Sequence, residues 1–212
     1  METVDFRKNY KHLYSPTART PELVTMPPMT FLAIDGRGAP DGEAFELSIQ
    51  AVYSMAFTIK FGRKKARMEP DFKMGPLEGL WSVGDENRRF DFAVDGLGRD
   101  RWQWTLLFWM PDFITKDDLR AARVAVADRK PNPMLDCLHL WMWEEGLCVQ
   151  MLHVGPYSEE EATIAAMDAY MAEHGYAARG RHHEIYLGDP RRADPSKLKT
   201  ILRHPVEKLG EG

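Results

Sequence analysis

"HHEIYL", residues 182–187, and "PLEGLW", residues 76–81, decide the fold, because each sets one glutamate into a short β-like run at a comparable place in its half of the chain. In a strand, alternate side chains share a face. His183, Ile185 and Leu187 therefore point one way, and His182, Glu184 and Tyr186 the other. The apolar set can fill a core. Glu184 and Tyr186 are left side by side on a face that is either solvated or lines a cavity.

Outward from these two runs the same element order reads twice. In the first half, "MTFLAIDGRG" (29–38) is a strand, and 43–61 is a helix with Phe45, Ile49, Val52, Ala56 and Ile59 at three- and four-residue spacing. Tyr53, Phe57 and Phe61 form a second apolar line on that helix, which predicts cover on more than one side. Strands at 75–83 and 102–111 follow, separated by a polar loop at 84–101. Thr115 and Asp118 then cap a linker helix over 116–129, which "KPNP" terminates.

In the second half, "LDCLHLWMWEEG" and "LCVQMLHVGPY" read as a β-hairpin turning near Glu145-Gly146. Ser158 and Glu161 suggest a capping box, Ile164, Met167 and Met171 an apolar stripe, and Gly175 a C-terminal cap. Strands at "RHHEIYLGDP" and "KTILRHPV" complete the unit, with a turn or short helix at 190–199 between them. The expectation is an α+β fold of duplicated β-α-β-β units related by a pseudo-twofold axis around a central ligand groove, with Glu78 falling on Glu184. Residues 1–28, rich in Pro, form an arm. Residues 29–130 hold the first unit and linker helix, and 131–212 the second, together one domain.

Composition narrows the partners. The chain of 212 residues carries 28 Lys and Arg against 32 Asp and Glu, a formal charge of −4, so it lacks the basic footprint of a nucleic-acid or anionic-membrane binder. No apolar run approaches the length of a membrane span and the start lacks a secretory apolar region, so a soluble cytoplasmic protein is expected. Cys137 and Cys148 match no metal spacing and read as reduced structural thiols. No G-x-S-x-G, P-loop or G-x-G-x-x-G is present.

What remains is an aromatic box with carboxylates. Of the six tryptophans, alternation pairs Trp102 with Trp104 and Trp141 with Trp143, and Trp81 follows Glu78 by three residues. Such indoles can wall a cavity for a flat ligand, although core packing is the commoner fate of any one of them. A carboxylate enclosed by aromatic rings loses solvation, so its pKa should rise and it becomes a base or a counter-ion to a cation. Glu184 and Glu78 are the candidates, and Tyr53, Tyr157 and Tyr186 supply phenol donors. Zinc on His182, His183 and Glu184 with His153 is the disfavoured alternative, since adjacent strand residues diverge and no H-x-x-x-H spacing occurs. The reading expects neither metal nor cofactor.

"HVGPYSEEEATIAAMDAYMAEHGY", "HHEIYLGDPRR" and "LKTILRHPV" resemble the C-terminal half of stand-alone GyrI-like small-molecule-binding proteins, and "DFRKNYKHLYSP", "FLAIDGRG" and "PLEGLW" their N-terminal half. The resemblance implies the SHS2-type duplicated fold of gyrase-inhibitory proteins and of effector-binding domains of multidrug-responsive regulators. It places Glu184 in a central cavity for amphipathic, aromatic or cationic compounds. One branch includes hydrolases that open the cyclopropane of DNA-alkylating compounds, a detoxification conferring drug resistance. On that likeness Glu184 is the base, Tyr53 the acid and Trp81 a wall. A non-catalytic sequestering or sensing module, or a partner such as gyrase, is the alternative. No helix-turn-helix precedes the fold, which leaves direct DNA binding unsupported.

Overall fold

The computed structural model describes residues 3–83, 98–189 and 193–210. Eleven strands and four helices run in the order β1 (Thr3–Asp5), α1 (Phe6–Asn9), β2 (Glu22–Met26), β3 (Met29–Arg37), α2 (Glu43–Lys65), β4 (Asp71–Lys73), β5 (Leu77–Val83), β6 (Trp102–Met110), α3 (Lys116–Arg129), β7 (His139–Trp143), β8 (Gly146–Val154), α4 (Glu161–Glu173), β9 (Tyr176–Ala178), β10 (His182–Tyr186) and β11 (Lys199–Lys208) among the described residues. The expected loop at 84–101 falls for the most part outside them, as do residues 190–192 of the expected turn.

The large sheet has the order β2-β8-β11-β10-β5-β6-β3-β7, with β9 added on β11. Its centre shows the duplication. β3, β6 and β5 on one side and β8, β11 and β10 on the other each pair first strand to third and third to second, and β5 and β10 meet antiparallel across a pseudo-twofold axis. Each unit carries its helix on the same sheet face. Phe45 of α2 packs on Trp81 and Trp104, while Met167 and Met171 of α4 share a core with Val149, Met151 and Leu202.

Two sequence expectations are corrected here. β7 and β8 do not form a hairpin: β7 pairs with β3, and β2, out of the supposed arm, pairs with β8. Each unit's leading strand thus crosses to the outer edge of the other unit. Pro27 and Pro28 alone separate β2 from β3, and Glu144 and Glu145 alone separate β7 from β8, although these pairs stand far apart in strand order. The sheet must therefore curl until its ends approach. It curls away from the helices, since Trp143 on the edge strand lies 5.8 Å from the His183 ring on the central one. Consecutive apolar runs mimic a hairpin in sequence, and only the global curvature separates them.

The second correction is a one-residue register. Glu184 pairs with Gly79, and Glu78 with Ile185. An axis between two antiparallel strands runs perpendicular to the sheet and keeps faces, and directly paired residues share a face. The counterpart of Glu184 is therefore Gly79 or Leu77. Glu78 points to the opposite face, inside the curl.

That inner face is filled by the N-terminal segment. Phe6 packs 4.4 Å from Trp109 and 4.5 Å from Tyr14, ring to ring. Beside them runs a buried ionic network. The Tyr14 phenol donates to Glu78 Oε1 at 2.9 Å, His183 spans Glu78 (3.0 Å) and Glu145 (3.1 Å), and Arg203 donates to Gln150 Oε1 at 2.8 and 3.0 Å and to the Leu13 carbonyl at 2.6 Å. Burial opposes charge on His183, but Glu145 and Glu78 outweigh it and hold its pKa above the ordinary histidine value. Burial likewise works against ionised Glu145, yet His183 and Arg203 hold its pKa below the usual range.

Capping follows the sequence at one helix and departs from it at the other. Thr115 and Asp118 form the expected capping box on α3. At α4 a 3-10 turn, Tyr157–Glu159, leads in, so Ser158 lies inside that turn and makes no side-chain cap. Glu160 holds the position before the helix instead. Gly175, with φ of 72°, ends α4 as expected. Among the described residues no helix is long and apolar enough to cross a membrane.

Candidate functional site

The two helices stand over their own units and leave the central strands β5 and β10 between them as the floor of a groove. On that face β10 presents His182, Glu184 and Tyr186, and β5 presents Leu77, Gly79 and Trp81. Gly79 is required. A Cβ there would meet the Tyr186 Oη at 2.9 Å and the Trp81 Nε1 at 3.1 Å, so only glycine lets the phenol lie across the neighbouring strand. Trp81 Nε1 donates to Tyr186 Oη at 3.1 Å. Burial, then the charge of Glu184 alongside, pushes the Tyr186 phenol well above its ordinary pKa.

The walls come from the helices. Tyr157, in the turn before α4, is 39% exposed and packs edge-on against Tyr186 with ring centres 5.9 Å apart. Its phenol is pushed up to about 12 by burial and then by Glu184, Glu160, Asp189 and Tyr53. Tyr53, 36% exposed on α2, stands edge-on to Phe108 at 5.0 Å. Tyr53 and Glu184 therefore both lie within electrostatic reach of the Tyr157 ring.

Glu160 is the residue the sequence reading missed. It is 3% exposed, and burial followed by the charge of Glu184 pushes its carboxyl up to about 10. Two buried carboxyl groups thus stand together, and the charge of Glu184 favours the protonated form of Glu160. Nothing in sequence spacing announces it, since its neighbour is brought by a different element. His182 was weighed only as a ligand beside His183, which points into the inner network. In the structure His182 Nε2 lies 3.2 Å from Glu184 Oε1, and its Nδ1 lies 2.6 Å from His204 Nε2. His153 is occupied elsewhere, with Thr163 Oγ1 at 3.0 Å and the Pro156 carbonyl at 3.2 Å.

The remaining expected residues divide by face. Trp81 and Trp104 lie on the groove face, joined through Phe45, and Trp102 lies edge-on to Trp81 at 5.9 Å. Trp104 is nearly sealed, 2% exposed, with its ring over Gly36. Trp141 and Trp143 stack on each other at 5.1 Å on the inner face, with Phe31 and His183 around Trp143. The structure thus separates those two, and Glu78, from the groove. Glu184, Tyr53, Tyr157, Tyr186 and Trp81 are brought together.

This architecture has known counterparts. A conserved protein from Listeria innocua is 42% identical over 96% of this chain and 100% of its own, with a TM-score of 0.87. A hydrolase from Listeria innocua is 40% identical over 96% of this chain and 100% of its own, with a TM-score of 0.83. The C-terminal domain of EcmrR shares the fold, with a TM-score of 0.53 and 13% identity over 90% of this chain and 98% of its own. A search of curated proteins finds no match. The model of the GyrI-like small molecule binding domain matches residues 103–207, which carry Tyr157, Glu160, His182, Glu184 and Tyr186 of the groove. With that match and relatives of this identity along nearly its whole length, the chain belongs to the GyrI-like small-molecule-binding family.

Proposed function

We propose that the protein hydrolyses a planar electrophilic small molecule bound in the groove between α2 and α4, with Glu184 activating water. The observation that carries this reading is a carboxylate 6% exposed, seated on the groove floor among Trp81, Tyr186 and Tyr157. Aromatic walls exclude water from a flat ligand and leave the Glu184 carboxyl facing it as a general base. The hydrolase from Listeria innocua, similar along the whole chain, supports the same reading.

The substrate class is a cyclopropane conjugated to a carbonyl, as in DNA-alkylating compounds, and the reaction is their detoxification. Water forms a C–O bond to a ring carbon as Glu184 takes its proton. The strained C–C bond breaks, and its electron pair passes through the conjugated system to the carbonyl oxygen. Tyr53 donates a hydrogen bond and then a proton to that oxygen, and the Glu184 proton restores the phenol. The sum is addition of one water. Trp81 serves as the wall against the planar unit.

Incubation with a panel of cyclopropane-bearing alkylators, followed by mass spectrometry, tests the reading. A product heavier by one water, formed catalytically, is expected. Ligand that quenches indole emission yet is recovered unchanged would leave a sequestering module, the other use of an aromatic box with a carboxylate.

A further inference from the structure

We propose that Glu160, His182 and Glu184 form a binding site for a divalent first-row transition ion, zinc foremost, on the floor of the groove. The inference does not depend on hydrolysis. One ligand atom from each residue lies within 4.8 Å of the others, and all three side chains are buried, at 3, 1 and 6% exposure. His182 Nε2 and Glu184 Oε1 are already 3.2 Å apart, close to the separation of about 3.3–3.5 Å between two ligands bonded to one tetrahedral ion at roughly 2.1 Å.

Two further observations point to an ion rather than to an accidental cluster. Glu160 Oε1 is buried with no hydrogen-bond partner among the described residues, a costly state for a carboxyl oxygen unless something in the groove engages it. His182 Nδ1 is held by His204 Nε2 at 2.6 Å, which fixes the imidazole with Nε2 toward the two carboxyl groups, as the outer partner of a metal-binding histidine does. Two elements fix the three donors, β10 giving His182 and Glu184, and the turn before α4 giving Glu160.

The donor set selects the ion. One imidazole nitrogen with two carboxylate oxygens, Glu160 releasing its proton as the ion binds, suits zinc, cobalt or manganese, and offers too few oxygens for calcium. Three protein ligands leave a fourth position for water or another ligand. An ion there would use the same lone pair of Glu184 that accepts a proton from water, so loading and base action exclude each other.

Titration of chelator-stripped protein with zinc by calorimetry, and with cobalt by visible absorption, tests the site. Saturation at one equivalent is expected, with cobalt bands showing nitrogen and oxygen ligation. Glu160→Gln and His182→Asn should each weaken zinc at least about tenfold. His204→Ala, which removes the outer partner and keeps all three ligands, should weaken it by about 10- to 100-fold. Glu159→Gln, exposed on the adjacent turn, should bind as the unaltered chain does. If Glu160→Gln or His182→Asn fails to fold, His204→Ala and the cobalt spectrum carry the decision. Absence of saturable binding at one equivalent, cobalt bands without nitrogen ligation, or affinity unchanged in all three variants would overturn the proposal.

Discussion

At Gly79 one missing side chain sets the geometry of the groove. The Tyr186 hydroxyl and the Trp81 indole occupy the space that a Cβ would claim. Gly79→Val should therefore displace both rings and destabilise the fold by about 1–3 kcal/mol through overpacking, read as a lower urea midpoint with altered tryptophan emission. Tyr186→Phe is the gentler probe. It removes the hydroxyl that accepts from Trp81 Nε1 and hydrogen-bonds Glu184, and should cost about 1 kcal/mol, with the emission change confined to the indole environment. Equal destabilisation by both substitutions would mean that the close approach at Gly79 carries no steric weight. The alternation of Glu184 with Ile185 was legible in sequence and put the carboxylate on a distinct face. Glu160 was not, because its placement depends on how the turn before α4 meets β10.

Helix ends give a comparison within one chain. Thr115 caps α3 through the reciprocal bonds of a capping box, whereas Ser158 lies in the 3-10 turn before α4 and caps nothing. Thr115→Ala should cost about 1 kcal/mol in chemical denaturation, and Ser158→Ala no more than about 0.5 kcal/mol. The reverse order would contradict the assignment of the two helix starts. Both motifs look alike in sequence, so local spacing alone could not separate them. The same holds for strands. Apolar patterning located β3, α2, β6 and α4 closely, because each buries a face whose period survives in the residues, and the Thr115 cap and "KPNP" bounded α3. Patterning misassigned the partner of β7 and read β2 as part of an arm, because pairing across a curled sheet is settled by long-range packing. The glutamates were matched one residue out of register for a related reason: the symmetry acts on faces, which element order does not specify.

Over the whole molecule, the curled sheet separates two polar systems. The groove face carries Glu184, Glu160 and His182, and the inner face the network of Glu78, His183, Glu145 and Arg203. In the inner network His183 bridges Glu78 and Glu145, and Arg203 stands beside Glu145, so removing one member should be severe. Arg203→Met is expected to destabilise by about 3–5 kcal/mol, since it strips Glu145 of its guanidinium and Gln150 and the Leu13 carbonyl of their donor. The network also sets the pH response. His183 has its pKa raised by folding, so its contribution is complete below the ordinary histidine value of about 6.5 and is lost as pH rises through the raised value. Glu145 has its pKa lowered, so its contribution is present above the usual carboxylate value and lost as pH falls through the lowered one. Urea midpoints should therefore decline as pH rises above the ordinary histidine value, and the decline should flatten in His183→Asn. An unchanged alkaline slope in that variant would place the titrating group elsewhere.

The central claim is that Glu184 acts on a ligand held in the groove, and Glu184→Gln tests it most directly, because the substitution keeps shape and removes charge and the basic lone pair. Single-turnover hydrolysis and quenching of indole emission should be measured together on folded variant and unaltered protein with the same planar cyclopropane-bearing ligand. The account predicts retained quenching with turnover lower by about 100-fold or more, the scale of a lost general base. Turnover and quenching both equal to those of the unaltered protein would contradict it and return Glu184 to the role of a strand residue without chemistry.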